Sequence, residues 1–333
     1  VRKNKLYYKE GKKMGYRMKL PSSIYSGTGS IEDIKNIVKQ EAAKKILVFT
    51  DKGVAGAGLL DKLLKVLNEA GVSYTIFDDL KPEPAYQDVE KVVKQMEQEN
   101  GDLIVAIGGG SVMDAAKLCS LLKGSSYTVK DLLDNPLLAS KKLKSIMIPT
   151  TCGTGSEATC NAIVAIPEEQ SKKGIVNEEM IPDYVILDAQ MIAKLPAPIV
   201  AATGVDALAH VVECFTSKKA TPLSDTYAMA GAKLIFKNIE EAYNNPSNME
   251  AKSNLLLGAF YGGIAITGSG TTAVHALSYP LGGKYHIAHG VSNAILFAHV
   301  MEFNKDACEE RLATLCDMVY PEYWEKPVNE KAD

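Results

Sequence analysis

The sequence predicts an α/β domain followed by an all-helical domain, with the boundary near residue 190. Three observations carry this. Between residues 16 and 188, short apolar β-branched runs alternate with amphipathic stretches. Those runs do not alternate apolar with polar, as expected for parallel strands covered on both faces. Beyond Leu195 the β-branched runs thin out, and long helix-compatible stretches take over.

The elements follow in order. The run Lys45-Ile46-Leu47-Val48-Phe49-Thr50 reads as a strand and 59–70 as an amphipathic helix. Ser73-Tyr74-Thr75-Ile76-Phe77 is the next strand. A helix is expected over 86–99, where Val89, Val92, Val93 and Met96 fall at helical spacing. Leu103-Ile104-Val105-Ala106-Ile107 and Ser145-Ile146-Met147-Ile148-Pro149 complete the strands. Strand, helix, strand argues for parallel pairing with right-handed crossovers. Helices are expected over 205–217, 224–243, 249–266 and 288–302, with breaks at Pro222, Pro246, Gly268-Ser269-Gly270 and Pro280.

The chain of 333 residues is 46 % hydrophobic and 23 % charged, enough to bury a large core and unlike a disordered or fibrous chain. A net charge of −3 with no basic block excludes nucleic-acid binding by phosphate neutralisation. The apolar runs have strand length, far short of the roughly 20 residues of a membrane span. Six cysteines without CxxC pairs or framework spacing read as reduced thiols of a cytoplasmic protein. Residues 1–13 are basic and lack apolar periodicity, which reads either as a natural start at Met14 or Met18 or as an ordinary frayed N-terminus. The polar end at 322–333 stops without a cap, as a C-terminally truncated chain would.

Two groups of residues carry chemistry. The first is Gly108-Gly109-Gly110-Ser111 between the strand at 103–107 and the helix-like Val112-Met113-Asp114-Ala115-Ala116-Lys117. Glycines let backbone approach an anion, and the helix N-terminus favours negative charge, so this turn suits a nucleotide phosphate. Its spacing is not GxGxxG. Asp51, directly after the strand at 45–50, either accepts bonds from a ribose diol, which favours NAD over NADP, or is a solvated turn residue.

The second group contains four of the five histidines. Asp206 and His210, four apart, share one helix face. His275, His286 and His289 follow in a block where Pro280 and Gly282-Gly283 are expected to break any helix, so that His275 and His289 come from separate elements. One carboxylate with three imidazoles suits Fe²⁺ or Zn²⁺ and leaves a net positive, Lewis-acidic site. Taken singly, each histidine reads as a hydrogen-bonded structural residue rather than a ligand; the metal reading rests on four of the five falling in two short blocks among small and apolar residues.

These residues resemble the iron-containing (group III) alcohol dehydrogenases. The likeness runs over about 22–304. Its signposts are Gly108-Gly109-Gly110-Ser111 with Asp114 and Lys117, then Pro149-Thr150-Thr151-Cys152-Gly153-Thr154-Gly155-Ser156-Glu157, then Gly204-Val205-Asp206-Ala207-Leu208-Ala209-His210, and the stretch from His275 to Gly290. The resemblance implies a dehydroquinate synthase-like fold: an α/β N-terminal dinucleotide-binding domain over 14–190 and an all-α C-terminal metal-binding domain over 191–333. It implies Fe²⁺, with Zn²⁺ as alternative, on Asp206, His210, His275 and His289. NAD(H) would lie on Gly108, Gly109, Gly110, Ser111 and Asp114, with Thr150, Thr151, Thr154 and Lys172 along it and Asp51 at the adenosine ribose. A small aldehyde or alcohol substrate and a homodimer are further expectations of the family.

The likeness departs at Tyr279, where many members carry a histidine proposed to relay a proton. A phenol near pKa ~10 titrates far from neutrality, so Tyr279 hydrogen-bonds the alkoxide, or His286, or water and the cofactor ribose, takes the relay. The run Val274-His275-Ala276-Leu277-Ser278-Tyr279-Pro280, with Lys172-Lys173-Gly174-Ile175, looks most like the 4-hydroxybutyrate dehydrogenase branch. That suggests succinate semialdehyde as a substrate and Lys284 as a partner for its carboxylate. Other short-chain alcohol or diol dehydrogenases, and a non-redox lyase of the dehydroquinate-synthase type, are the competing readings.

Overall fold

A computed structural model describes residues 15–333. Of the two candidate starts, Met14 lies outside the described residues and Met18 within them. The N-terminal part runs β1 (Ser23–Ser26), α1 (Ile34–Gln40), β2 (Lys45–Phe49), α2 (Lys52–Gly56), α3 (Leu59–Glu69), β3 (Ser73–Phe77), α4 (Tyr86–Glu97), β4 (Leu103–Gly108), α5 (Gly110–Leu122), α6 (Val129–Asp134), β5 (Lys144–Pro149), β6 (Asn161–Ile166), β7 (Ser171–Val176) and β8 (Tyr184–Leu187). The helical part comprises α7 (Ala197–Thr216), α8 (Pro222–Asn244), α9 (Met249–Ser269), α10 (Ala273–Tyr285), α11 (His289–Val319) and α12 (Val328–Ala332).

Six strands form one sheet in the order β1-β8-β5-β4-β2-β3, paired in parallel throughout. Each central strand feeds two apolar layers. Leu47, Phe49, Ile104 and Ala106 join α4, α5 and α6 on one face. Ile46, Val48, Leu103, Val105 and Ile107 join α1 and α3 on the other. That is why these runs read as continuously apolar. The chain passes from β2 outward to β3 and then returns to the other side of β2 for β4. The order therefore reverses at the β2/β4 pair, where the carboxyl ends of the strands open a crevice. Asp51 follows β2 there, and the glycine turn follows β4.

Several elements were not foreseen. β6 and β7 form an antiparallel hairpin beside the main sheet. Its burial alternates along Asn161–Ile166, but the run is short and the polar 167–170 follows it. Helix α7 begins at Ala197, eight residues before the expected start at 205, because Pro196 and Pro198 fit its cap and first turn. Helix α11 continues to Val319, through a non-helical Cys308, rather than ending at 302.

The expected break at Pro280 does not occur. Helix α10 runs through Pro280, Gly282 and Gly283 and ends at Tyr285, with His286 in the left-handed conformation. The glycines are spacers and not breakers: a Cβ on Gly283 would sit 2.5 Å from the Gln170 carbonyl oxygen, so the helix lies directly on the start of β7. Packing against the hairpin outweighs the lost proline N–H.

Helix α7 is also the one described helix long and apolar enough to cross a membrane, a feature the strand-length argument overlooked. It is a core helix: 61 % of its apolar window is buried, and Asp206, His210 and Glu213 lie on its buried face.

Candidate active site

The register Gly108↔Pro149 between β4 and β5 brings two loops together at the sheet's carboxyl end. Gly109 is the N-cap of α5 and Gly110 its first residue, and no side chain caps that end. The leading amides of α5 are thus left to an anion. Thr154 roofs the turn so closely that a Cβ on Gly110 would lie 2.8 Å from its Cγ2. Thr151 flanks Gly109, and Thr150 is buried at the end of β5. The Ser111 hydroxyl accepts the Glu83 N–H at 2.9 Å, which leaves its own proton to donate.

Asp114 faces the same cleft, but its carboxylate is already occupied. It pairs with Lys117 at 2.9 Å, accepts the Ser156 hydroxyl, and accepts the Ile163 N–H at 2.9 Å, tying α5 to β6. Asp51 caps α2, its Oδ1 accepting the Val54 N–H at 2.9 Å. It stands at the β2 side of the crevice, outside the residues that line the cleft.

Across the cleft, α7, α10 and α11 converge. Asp206 and His210 come from one face of α7, His275 from the first turn of α10, and His289 from the start of α11. Asp206, His210 and His275 are buried, and their ligand atoms lie within 4.8 Å of one another. The Asp206 Oδ1 is 3.5 Å from His275 Nε2 and 3.6 Å from His289 Nε2. Two ligands about 2.0–2.3 Å from a shared ion stand roughly 3–4.5 Å apart, so Asp206, His210 and His275 fit one cation, with His289 beside them at its distance from Asp206. Imidazole with a single carboxylate suits Fe²⁺ or Zn²⁺ better than Mg²⁺ or Ca²⁺.

Two residues that complete the site were missed in the sequence. Glu213, fully buried on α7, binds the Nδ1 of His275 with Oε2. Asn293, buried one turn beyond His289, places its Nδ2 2.6 Å from Asp206 Oδ1, 3.1 Å from His275 Nε2 and 3.3 Å from His289 Nε2. Both stand at helical spacing from a ligand, Glu213 three residues after His210 and Asn293 four after His289, which is the signal that could have found them. Glu213 also corrects the expected charge. Two buried carboxylates, Asp206 and Glu213, match a divalent ion, so the site is not left net positive.

Burial alone would raise the Asp206 pKa, but the neighbouring imidazoles more than offset it and hold the carboxyl below its usual range. Burial pushes His210 down to about 4, so it presents a neutral ring. For His275, burial is outweighed by hydrogen bonds to Asp206 and Glu213, which hold it up at about 9. Burial pushes Tyr279 up to about 12. Its ring lies 6.3 Å from that of His289.

The two halves share one cavity of about 180 Å³, lined by Gly110, Ser111 and Thr154 on one side and by His210, His275, Tyr279 and His289 on the other. Lys172 also lines it, paired with Glu83 at 2.5 Å. His286 does not join them. It is exposed at the C-cap of α10, outside the cleft, because the helix persists past Pro280 and carries it beyond the site. Lys284 is likewise exposed and lies over the Tyr285 ring.

A parallel α/β domain whose glycine turn faces buried carboxylate and imidazole donors on a helical domain is the architecture of a metal-containing dehydrogenase. Comparison with known proteins agrees. A family profile described as iron-containing alcohol dehydrogenase matches residues 21–189, and the C-terminal profile of the same family matches 200–332. The chain is 37 % identical over 302 residues to long-chain-alcohol dehydrogenase 1 of Geobacillus thermodenitrificans, covering 90 % of this chain and 76 % of that protein. It is 33 % identical over 300 residues to the NAD-dependent methanol dehydrogenase of Bacillus methanolicus, covering 90 % and 79 %. Among solved structures, a 1,3-propanediol oxidoreductase superposes with a TM-score of 0.91 at 30 % identity, covering 96 % of this chain and 84 % of that one. The chain belongs to the iron-containing alcohol dehydrogenase family.

Proposed function

We propose that the protein catalyses reversible, NAD(H)-linked interconversion of a small uncharged alcohol and its aldehyde. The observation that carries this reading is the shared cavity, which sets the glycine turn and the Asp206 group on opposite walls of one cleft. When bound, the cation supplies a Lewis acid for the substrate oxygen, and the nicotinamide accepts or donates the hydride.

The chain's own residues do the rest. Gly109, Gly110 and Ser111 hold the pyrophosphate with backbone amides, and Thr150, Thr151 and Thr154 wall the dinucleotide. Asp51 stands at the ribose end, where its carboxylate disfavours a 2′-phosphate. Asp206, His210, His275 and His289 hold the cation. Tyr279 remains protonated across the neutral range, so it donates a hydrogen bond to the substrate oxygen and does not act as the base. The proton leaves through solvent on the side where His289 is partly exposed.

Substrate charge follows from the cleft's own charges. A succinate semialdehyde or 4-hydroxybutyrate substrate needs a cation for its carboxylate. Lys172 is already paired with Glu83, and Lys284 is exposed away from the cleft. Both observations favour an uncharged substrate over that branch, and over a lyase acting on an anionic ring.

An NADH-oxidation assay with a panel of aldehydes tests the proposal. Propanal, butanal and 3-hydroxypropanal should exceed succinate semialdehyde by at least about tenfold in kcat/KM. Comparable or higher efficiency on succinate semialdehyde would overturn the assignment of an uncharged substrate. No oxidation of NADH by any aldehyde would overturn the dehydrogenase assignment.

A further inference from the structure

Helix α10 starts without a cap of its own. Thr272 precedes it, and its side chain makes no capping bond within the helix. The amides that open α10 are satisfied from another helix. Glu213 Oε1, on α7, accepts the Thr272 N–H at 3.0 Å, the Thr272 hydroxyl at 2.6 Å and the Val274 N–H at 2.8 Å. Its other oxygen, Oε2, binds His275 Nδ1. The opposite ring atom, Nε2, faces Asp206 and Asn293. Four donors therefore converge on one fully buried side chain.

We propose that Glu213 is the positioning residue of the cation site: one oxygen anchors the start of α10, and the other holds His275 as the Nδ1–H tautomer, so that the Nε2 lone pair is presented to the ion. The proposal rests on the cation-site reading above. Its logic lies in the donor count. A carboxylate accepts at both oxygens and donates at neither, so it serves all four donors. An amide of the same shape cannot. If glutamine kept its oxygen on the helix amides, its NH₂ would face His275 Nδ1 and drive the proton to Nε2, which removes the ligand lone pair. If it turned over, its NH₂ would confront the Thr272 and Val274 N–H groups, and α10 would lose its anchor. Buried donors left unpaired in this way are costly. Outer partners that fix a ligating imidazole are typically worth 10–100-fold in metal affinity.

The test uses the full chain, with Zn²⁺ as the probe. Chelator competition should show Glu213→Gln binding Zn²⁺ 10–100-fold more weakly than the wild type. Thr272→Val removes one donor from the anchoring side and leaves the His275 contact in place. It should lower the thermal midpoint while holding Zn²⁺ affinity within about threefold. Long-range ¹H–¹⁵N spectra of histidine-labelled, Zn²⁺-loaded wild type should show His275 protonated at Nδ1 and not at Nε2, a readout that needs no variant to fold. Wild-type Zn²⁺ affinity in Glu213→Gln, an equal loss in Thr272→Val, or a His275 protonated at Nε2 in the Zn²⁺-loaded wild type would each overturn the proposal. A wild-type chain that takes up no Zn²⁺ would overturn the cation-site reading itself, and the role of Glu213 with it. Uptake by the wild type with no loss in Glu213→Gln would overturn the role of Glu213 alone.

Discussion

The glycine turn and the cation site face each other across one cleft but are built on opposite principles. The turn is contiguous. Gly108 ends β4, Gly109 caps α5 and Gly110 opens it, and no side chain caps the leading amides. The cation site is assembled from side chains between Asp206 on α7 and Asn293 on α11, with His275 on α10 between them. Its precision depends on how three helices pack, and on two buried groups, Glu213 and Asn293, that need not touch the ion. A backbone site tolerates changes in the other domain. A side-chain site does not, which makes the two halves separable by mutation.

The sharpest separation is expected from Asp206→Ala. It should reduce turnover by at least about a thousandfold while the Kd for NADH, read by fluorescence titration, changes less than about threefold. The carboxylate is the one charged ligand of the four, and its loss leaves three neutral imidazoles to hold the ion more weakly. A parallel loss of NADH binding would show that the halves are coupled.

The opposite break is Gly110→Ala. Its added methyl meets the Thr154 side chain at 2.8 Å, at the point where the turn must admit phosphate. The KM for the cofactor should rise about tenfold or more, with the metal content of the purified protein unchanged.

A smaller effect sharpens the boundary between the halves. Because Tyr279 stays protonated up to about 12, the pH–rate profile should show no inflection from it between roughly pH 6 and 9. Tyr279→His places an imidazole in the same buried position, where burial should hold its pKa below the unperturbed ~6.5, and the profile should gain an inflection below that value. Tyr279→Phe should lower kcat by a modest factor, about three- to tenfold, through loss of one donated hydrogen bond.

The smallest effect is expected from Asp51→Ala. Loss of the α2 cap should cost roughly 1 kcal/mol, measured by urea unfolding, and should weaken discrimination against NADP.

The same contrast explains what could be read in advance. The strands of the parallel sheet were legible because each is an uninterrupted apolar run, fed by layers on both faces. The glycine turn was legible because its chemistry lies in four consecutive residues. Asp206 and His210 were legible as a pair because they sit one helical turn apart on a single helix. Their convergence with His275 and His289 came only through family likeness, since no local spacing connects residues more than sixty positions apart. Glu213 looked like an ordinary helix carboxylate, and Asn293 like an ordinary polar residue. His286 reads as a relay only from its place three residues before His289, whereas it caps the C-terminus of α10 outside the cleft; the break expected at Pro280 is a separate misreading. Only the seat of α10 on β7, with Gly283 against Gln170, shows why the helix continues.

The central claim is that turnover requires one divalent ion shared by Asp206, His210, His275 and His289, while cofactor binding does not. Elemental analysis of the purified protein before and after dialysis against a chelator, with activity and NADH affinity followed on the same samples, tests it directly. We predict about one Fe or Zn per chain, activity lost in step with the ion and restored by adding it back, and unaltered NADH binding throughout. Full turnover in protein stripped of divalent metal would contradict the account.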